Sequence, residues 1–408
     1  MNDLLVVGEG LTGLFAAWLA AKRGAHTTLI AYGRGGLELS SGCLHLASGA
    51  SPHAEIASAR LPHPYALVGT DTVFRALEAL TQLLEASGLP YSGRLDANLL
   101  LPTAAGATIA PAFAPHSLAR SDLANHGPMT MAGLTGFRDF DAALASRRLA
   151  TRLQRSIATV DLPLPGPAPR RDLYATDLAR RFEDPDWCRE TCRAWKPLLI
   201  GVRRLGLPAV LGLRHHARVL QAIEEALELT AFEIPTLPPC VPGLRLEMVL
   251  REACLDAGVD LIEGAKAIGR VDGTGLFARA SGVVAMTAGG PQLHNAGAVL
   301  LATGDVLHGG LVAQQNGLIR ESVFDLPVVH NADRATWTSP RAADPQPYAS
   351  FGVRVDASMR PLDERGQPLL PNLYAAGGLL AGARRTEEGS RQGVALSTAL
   401  RAVEAAIP

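Results

Sequence analysis

No run of about eighteen consecutive apolar residues occurs in this chain, so the sequence offers no membrane-spanning helix. Lysine is scarce, the formal net charge is −1, and the basic residues form no long run. That balance excludes nucleic acid as an expected partner. The five cysteines (Cys43, Cys188, Cys192, Cys240, Cys254) are odd in number and scattered. They fit a reduced, cytosolic protein and not a disulfide framework. The first strand begins within a few residues of Met1, which leaves no expected room for a signal peptide. There is no internal repeat and no low-complexity tract. What remains is a chain of 408 residues, long enough for two domains with substantial cores.

The N-terminus supplies the first positive signal. Residues 3–7 form an apolar run that reads as a buried strand. Gly8-Glu9-Gly10-Leu11-Thr12-Gly13 follows, a helical pattern runs from Leu14 to about Lys22, and residues 27–31 read as the next strand. Strand, glycine turn, helix and strand are the context that gives the G-x-G-x-x-G pattern its meaning. Gly8 permits the tight turn, Gly10 lets backbone approach a pyrophosphate, and Gly13 lets the helix pack close to the strand. The N–H groups and positive end of that helix favour a phosphate.

One residue is missing from this pattern. An acid usually ends the second strand, about twenty residues past the glycines, and bonds the ribose hydroxyls. That place falls at Ala31, followed by Tyr32 and Gly33, with Arg34 close by. The phosphate half of the nucleotide reading survives, and the adenosine half loses its usual ligand.

Further along, residues 73–86, 139–149, 187–198, 218–229 and 244–257 show helical spacing. Residues 129–132, 157–162 and 259–263 read as strands, with a Pro-rich break at 162–170. Residues 268–285 read as a small antiparallel meander, and 298–301 as a buried strand ending in Ala302-Thr303-Gly304. Residues 373–375 form a strand entering Gly377-Gly378, and Gly389 and Gly393 precede a closing helix. The expected fold is α/β: a Rossmann-like flavin-binding domain (1–62 and 235–408) with an inserted second α/β domain (63–234).

The GxGxxG start, the later ATG and the closing NLYAAGG together resemble two-domain flavoproteins of the glutathione-reductase and fumarate-reductase type. A closer resemblance rests on SSGCLHLAS (40–48), HPYALVG (63–69), IPTLPPCVPGLRL (234–246) and GGLVAQQNGLIRESVFDLPV (309–328). These segments look like the B subunit of anaerobic glycerol-3-phosphate dehydrogenase, in the same order and over nearly the whole chain. The resemblance implies one member of a three-part respiratory complex. In that family the A subunit carries FAD and oxidises sn-glycerol 3-phosphate to dihydroxyacetone phosphate. The C subunit is an iron–sulfur protein that ties the pair to the membrane and passes electrons to quinone. The B subunit is an FMN-binding electron relay, placed in the cytoplasm at the inner face of the membrane. FMN has no adenosine, which suits Ala31; FAD is the alternative cofactor. This chain departs from the family's Gly-rich turn by placing Arg384, Arg385, Glu387, Glu388 and Arg391 there. Two other readings stand beside it: a cofactor-free assembly protein, and an independent FAD oxidoreductase.

The expected flavin contacts are Gly8, Gly10, Gly13, Ser40, Ser41, Gly42, Thr303, Gly304, Gly377, Gly378, Gly389 and Gly393. Ser40 and Ser41 serve equally well as helix caps. His45 and His63 are candidates for proton transfer, against a packing or capping role. Arg245 presents a fork that matches phosphate or carboxylate, against a salt-bridged helix arginine. Cys188 and Cys192 lie four apart on a helix and lack the companions of an iron–sulfur ligand set, so they read as a core pair. Trp187 and Trp195 read as packing residues, His215 and His216 as structural, and no metal site is expected.

Overall fold

The computed structural model describes residues 1–124, 127–166 and 172–408, so the end of the Pro-rich break at 162–170 lies outside the described residues. The chain divides into two compact units. The first comprises residues 1–36, 45–80 and 250–408, and the second residues 37–44 and 81–249.

The first unit is built on a seven-stranded sheet. Strand β1 (Asn2–Glu9) lies at its centre, parallel to β2 (Thr27–Arg34) on one side and to the strand Gly290–Leu301 on the other. Leu4, Leu5 and Val6 are fully buried, the unbroken apolar run expected of a parallel strand covered on both faces. Helix α1 (Leu11–Lys22) connects β1 to β2 and stops where Gly24 takes a positive φ of 84°. It packs against the closing helix Arg391–Ala406. Strand Asp260–Glu263 extends the parallel order beyond β2, and Leu373–Ala375 pairs with Gly290–Leu301.

The expected meander is present as Lys266–Asp272, Arg279–Thr287 and Gly290–Leu301. The last strand is longer than the sequence pattern indicates. Its polar first half pairs antiparallel with the meander, and its apolar half, from Ala296, pairs parallel with β1. Hydrophobic patterning marked only the half that is buried.

The second unit holds a four-stranded parallel sheet in the order Thr230–Ile234, Arg204–Pro208, Thr130–Leu134, Ala158–Leu162. The strands Arg204–Pro208 and Thr230–Ile234 were not expected from the sequence. RLGLP carries Gly and Pro, which argue against a strand. Here Gly206 leaves the space that Phe232 fills, since a Cβ on it would lie 2.7 Å from that ring. Trp195, Phe182, Cys188 and Cys192 are buried together in this core, and the Trp195 indole donates to the Pro163 carbonyl at 2.7 Å. No helix among the described residues is long and apolar enough to cross a membrane.

Candidate functional site

The glycine loop sits where β1 leaves the sheet. Gly8 has φ +112°, and a Cβ there would lie 2.4 Å from the Ala302 carbonyl oxygen. A Cβ on Gly13 would lie 1.8 Å from the Gly8 carbonyl oxygen. These two glycines allow close backbone approach, as their spacing implies. Gly10 differs: a Cβ there would meet nothing nearer than 3.9 Å. Gly10 also serves as N-cap of α1 and offers no side-chain cap, so the helix end is left to another acceptor.

The ATG segment and the closing Gly turn converge on the same loop. Gly304 has φ +80° and Gly377 φ +68°. A Cβ on Gly377 would lie 2.2 Å from Thr12 Oγ1, and one on Gly378 would lie 3.2 Å from Gly304 Cα. The Gly377 amide donates to Thr398 Oγ1 at 2.8 Å. Beside this turn the buried Arg385 donates to Asp305 Oδ2 at 3.0 Å. Burial works against the Asp305 carboxylate, but His308 and Arg385 hold its pKa down to about 2. The charges of Arg385 and Asp305 at this turn are therefore paired within the fold. The hydroxyl of Thr303 is buried with no hydrogen-bond partner among the described residues.

Ala31 is buried at the end of the apolar part of β2, as the sequence placed it. Its register partner on the neighbouring strand is Glu263. Arg251, from the helix Val241–Asp256, donates to Glu263 Oε1 at 3.0 Å and also pairs with the buried carboxylate of Glu9. The hydrogen bond from Arg251 is the largest influence on Glu263 and holds its pKa below the usual value. Sequence reasoning missed these partners, although an acid inside the glycine motif at Glu9 was a visible signal.

At the start of the closing helix, the amides of Gln392 and Gly393 donate to the His45 carbonyl at 3.2 and 3.1 Å. Burial, and then the Arg391 charge, lower the pKa of the His45 ring to about 4, so it is neutral near pH 7. His63 is differently held. Tyr65 N donates to its Nδ1 at 3.0 Å, which leaves Nε2–H to donate to Glu388 Oε1 at 2.9 Å. Ser390 Oγ donates to the same carboxylate at 2.5 Å. Gly393 makes room for Tyr65, whose hydroxyl donates to the Leu46 carbonyl at 2.6 Å. Gly389 has φ +63° against Ser48.

Ser40, Ser41, Gly42 and Arg245 belong to the second unit. Ser40 Oγ donates to the Leu37 carbonyl at 2.8 Å and accepts from Gly42 N at 3.2 Å, while Ser41 Oγ accepts from Cys43 N at 3.4 Å. Both hydroxyls thus brace their own turn. Arg245 departs from its expected ligand role. Its guanidinium is buried and donates to Glu233 Oε2 at 2.6 Å, Glu233 Oε1 at 2.8 Å and the Gly212 carbonyl at 2.7 and 2.9 Å. Nothing is left to face a phosphate, because the fork has closed on the protein's own carboxylate. Ser117 Oγ and Leu211 N also donate to Glu233. Among the described residues, no group of three His, Cys, Asp or Glu side chains is placed to hold a metal.

The first unit fits the phosphate-bearing part of a flavin. Gly10 puts no side chain at a helix start, with Gly35 packed against its backbone, and the buried Thr303 hydroxyl lacks a partner among the described residues. Gly8, Gly10, Gly13, Thr303, Gly304, Gly377 and Gly378 are the residues that would hold it.

Residues 3–394 match the FAD_binding_2 family, described as an FAD binding domain. The chain is 32% identical to a protein of Halobacterium salinarum named as the probable B subunit of anaerobic glycerol-3-phosphate dehydrogenase, over 99% of this chain and 97% of that protein. It is 30% identical to the anaerobic glycerol-3-phosphate dehydrogenase B subunit of Vibrio vulnificus, over 99% and 96% of the two chains. Among solved structures it resembles 3-ketosteroid delta1-dehydrogenase from Sterolibacterium denitrificans, with 12% identity, a TM-score of 0.46, and 100% and 99% of the chains covered.

Proposed function

Because this chain belongs to the FAD binding domain family and to the B-subunit family of anaerobic glycerol-3-phosphate dehydrogenase, we propose that it is the flavin-carrying relay protein of such a complex. The glycine cradle of the first unit, which carries no side chain at Gly10 and adjoins Thr303, whose buried hydroxyl has no partner among the described residues, is the observation that supports a flavin best. A bound flavin supplies the electron transfer, and the protein supplies its position and potential. The partners are an FAD-containing catalytic protein that oxidises glycerol 3-phosphate and an iron–sulfur protein that passes electrons to quinone at the inner face of the membrane. The second unit, including most of the 63–234 insertion, serves as the surface for partner or substrate.

The residues of this chain have holding roles. The α1 N-terminus and Gly10 receive a phosphate, and Thr303 donates or accepts one hydrogen bond. The neutral His45 ring is available as an acceptor beside the closing helix. The test is to purify the chain alone and with its partners, release and identify any flavin, and assay glycerol 3-phosphate oxidation with an artificial acceptor. A flavin in the chain, with turnover only in the assembled complex, is expected. High turnover by the single chain, or a protein colourless both alone and in complex, refutes the proposal.

A further inference from the structure

Among the described residues two arginines are almost fully buried, Arg245 and Arg385. They differ in how far their N–H groups are used. Arg245 closes on Glu233 and the Gly212 carbonyl through bonds of 2.6, 2.7, 2.8 and 2.9 Å. Arg385 donates from Nη2 to Asp305 Oδ2 at 3.0 Å, and from Nη1 to the Leu380 carbonyl at 3.5 Å, the limit of hydrogen-bond length. A guanidinium carries five N–H groups. Asp305 therefore balances the charge of Arg385 but leaves most of its N–H groups without a described partner. Burial pulls the pKa of Arg385 down, Asp305 opposes that effect, and the Arg391 charge adds to it. A buried cation in this state is stabilised by a further anion.

The guanidinium stands at the glycine cradle. A Cβ on Gly378 would lie 3.6 Å from Arg385 Nη2, 3.5 Å from the Asp305 amide nitrogen and 3.2 Å from Gly304 Cα. That amide donates to no described residue, and the buried Thr303 hydroxyl is in the same state. The corner also abuts the glycine loop. A Cβ on Gly8 would lie 3.2 Å from Thr303 N, and one on Gly377 would lie 2.2 Å from Thr12 Oγ1 in the first turn of α1. The backbone of Arg385 is held too, since its carbonyl accepts from Ser390 N at 3.1 Å just before the closing helix.

We propose that Arg385 is the charged half of the phosphate site: together with the start of α1 it holds the phosphate ester on the ribityl chain of the flavin. The inference rests on the flavin reading above and deepens it by naming the residue that selects a phosphorylated flavin. A helix N-terminus supplies only about half a positive charge, whereas a phosphate monoester carries about 1.5–2 negative charges near pH 7. The guanidinium fork adds a full charge and paired donors. Asp305 is the positioning residue. Its Oδ2 orients the fork, while Leu307 N at 3.0 Å and His308 Nδ1 at 2.7 Å hold Oδ1.

The test uses the full chain stripped of flavin, titrated by fluorescence with FMN and with riboflavin, which lacks only the phosphate. The wild type is expected to prefer FMN. R385Q should weaken FMN by about tenfold or more, the loss of a charge-assisted hydrogen bond, and leave riboflavin unchanged. R385K keeps the charge without the fork and should fall between; it also retains a cation beside Asp305 should R385Q fail to fold, which melting curves check. Equal weakening of both flavins in R385Q, or no change in either, overturns the assignment of Arg385. Equal affinity of the wild type for FMN and riboflavin overturns it without any variant, and leaves the flavin reading intact. Glycerol 3-phosphate is titrated alone into the same proteins by calorimetry. Arg385-dependent binding of it, with the preference for FMN over riboflavin unchanged in R385Q, would give the fork to a free phosphate monoester and overturn its role toward flavin. Binding of neither flavin by the wild type refutes both readings.

Discussion

Replacing Arg245 by methionine tests whether this residue holds the fold or a ligand. In the structure its guanidinium faces Glu233 through bonds of 2.6 and 2.8 Å, and both side chains are almost completely buried. R245M would leave the Glu233 carboxylate with only Ser117 Oγ and Leu211 N as donors, and the Gly212 carbonyl without its two bonds. Breaking a buried pair from one side typically costs about 3–5 kcal/mol. For a unit of this size each kcal/mol is worth about 2–4 °C, so the second unit should melt roughly 6–20 °C lower. The double variant R245M/E233M removes the stranded charge and should recover most of that loss, since well-packed apolar pairs often replace buried ion pairs at little cost.

The same variant has a pH signature. In the wild type, burial pushes the Glu233 carboxyl up, but the Arg245 charge and hydrogen bonds outweigh it and leave the pKa below the usual value. A depressed pKa contributes stability above the unfolded value, 4.5 for this group, and loses it as pH falls through the folded value. Without Arg245 only the burial effect remains strong, so the folded pKa rises and the folded state gains stability as pH falls. The difference between wild type and R245M should therefore be largest near pH 7 and shrink toward pH 5. Calorimetry of the full chain, with hydrogen exchange to identify the second unit's transition, measures both. An unchanged melting profile together with a lost affinity for flavin or phosphate would refute the clamp and restore Arg245 as a ligand residue.

Other outcomes follow from the site itself. G13A places a Cβ 1.8 Å from the Gly8 carbonyl and should yield insoluble or flavin-free protein, whereas G33A meets no atom within 4 Å and should stay within about 0.5 kcal/mol of wild type; solubility, flavin content and melting temperature compare the two. The His45 ring, whose pKa burial and Arg391 lower to about 4, should show no NMR titration between about pH 6 and 8, and a midpoint near 6.5 would contradict its buried neutral state. D305N should destabilise the Gly377–Gly378 corner near neutrality. Asp305 contributes fully above its unfolded pKa of 3.8 and loses its contribution as pH falls toward about 2, so acid unfolding curves of wild type and D305N should converge there.

The strongest local patterns were legible in the sequence because they have one structural solution. Gly8 and Gly13 are required by backbone contacts that a Cβ would violate, and the buried strands around them read directly as apolar runs. Arg245 was legible as a special arginine but not as a closed one. Its partner Glu233 lies near the end of a strand whose pairing depends on Arg204–Pro208, a segment with Gly and Pro that local propensity disfavours. Glu263 was hidden for a related reason. Its nearness to Ala31 comes from strand register across more than two hundred positions of sequence, and no local spacing encodes that.

Two sheets with parallel strands in one chain raise the question of which one carries ligand chemistry, and their carboxyl ends answer differently. In the second unit, Ile234 and Pro208 end paired strands, and the neighbouring Glu233 is bonded by Arg245, Ser117 and Leu211. The strong donors and acceptors of that cluster are spent on other protein groups, which is the state of a buried core. In the first unit, the strands ending near Ala31 and Glu263 meet glycines at positions 33 and 264, where an added Cβ would meet no atom within 4 Å. Thr303 Oγ1 there is buried and has no partner among the described residues. A buried hydroxyl left without a partner is costly unless something binds it. The physical expectation is that a saturating flavin raises the melting temperature of the first unit and leaves that of the second unchanged. A shift confined to the second unit would move the ligand site there and overturn this division of labour.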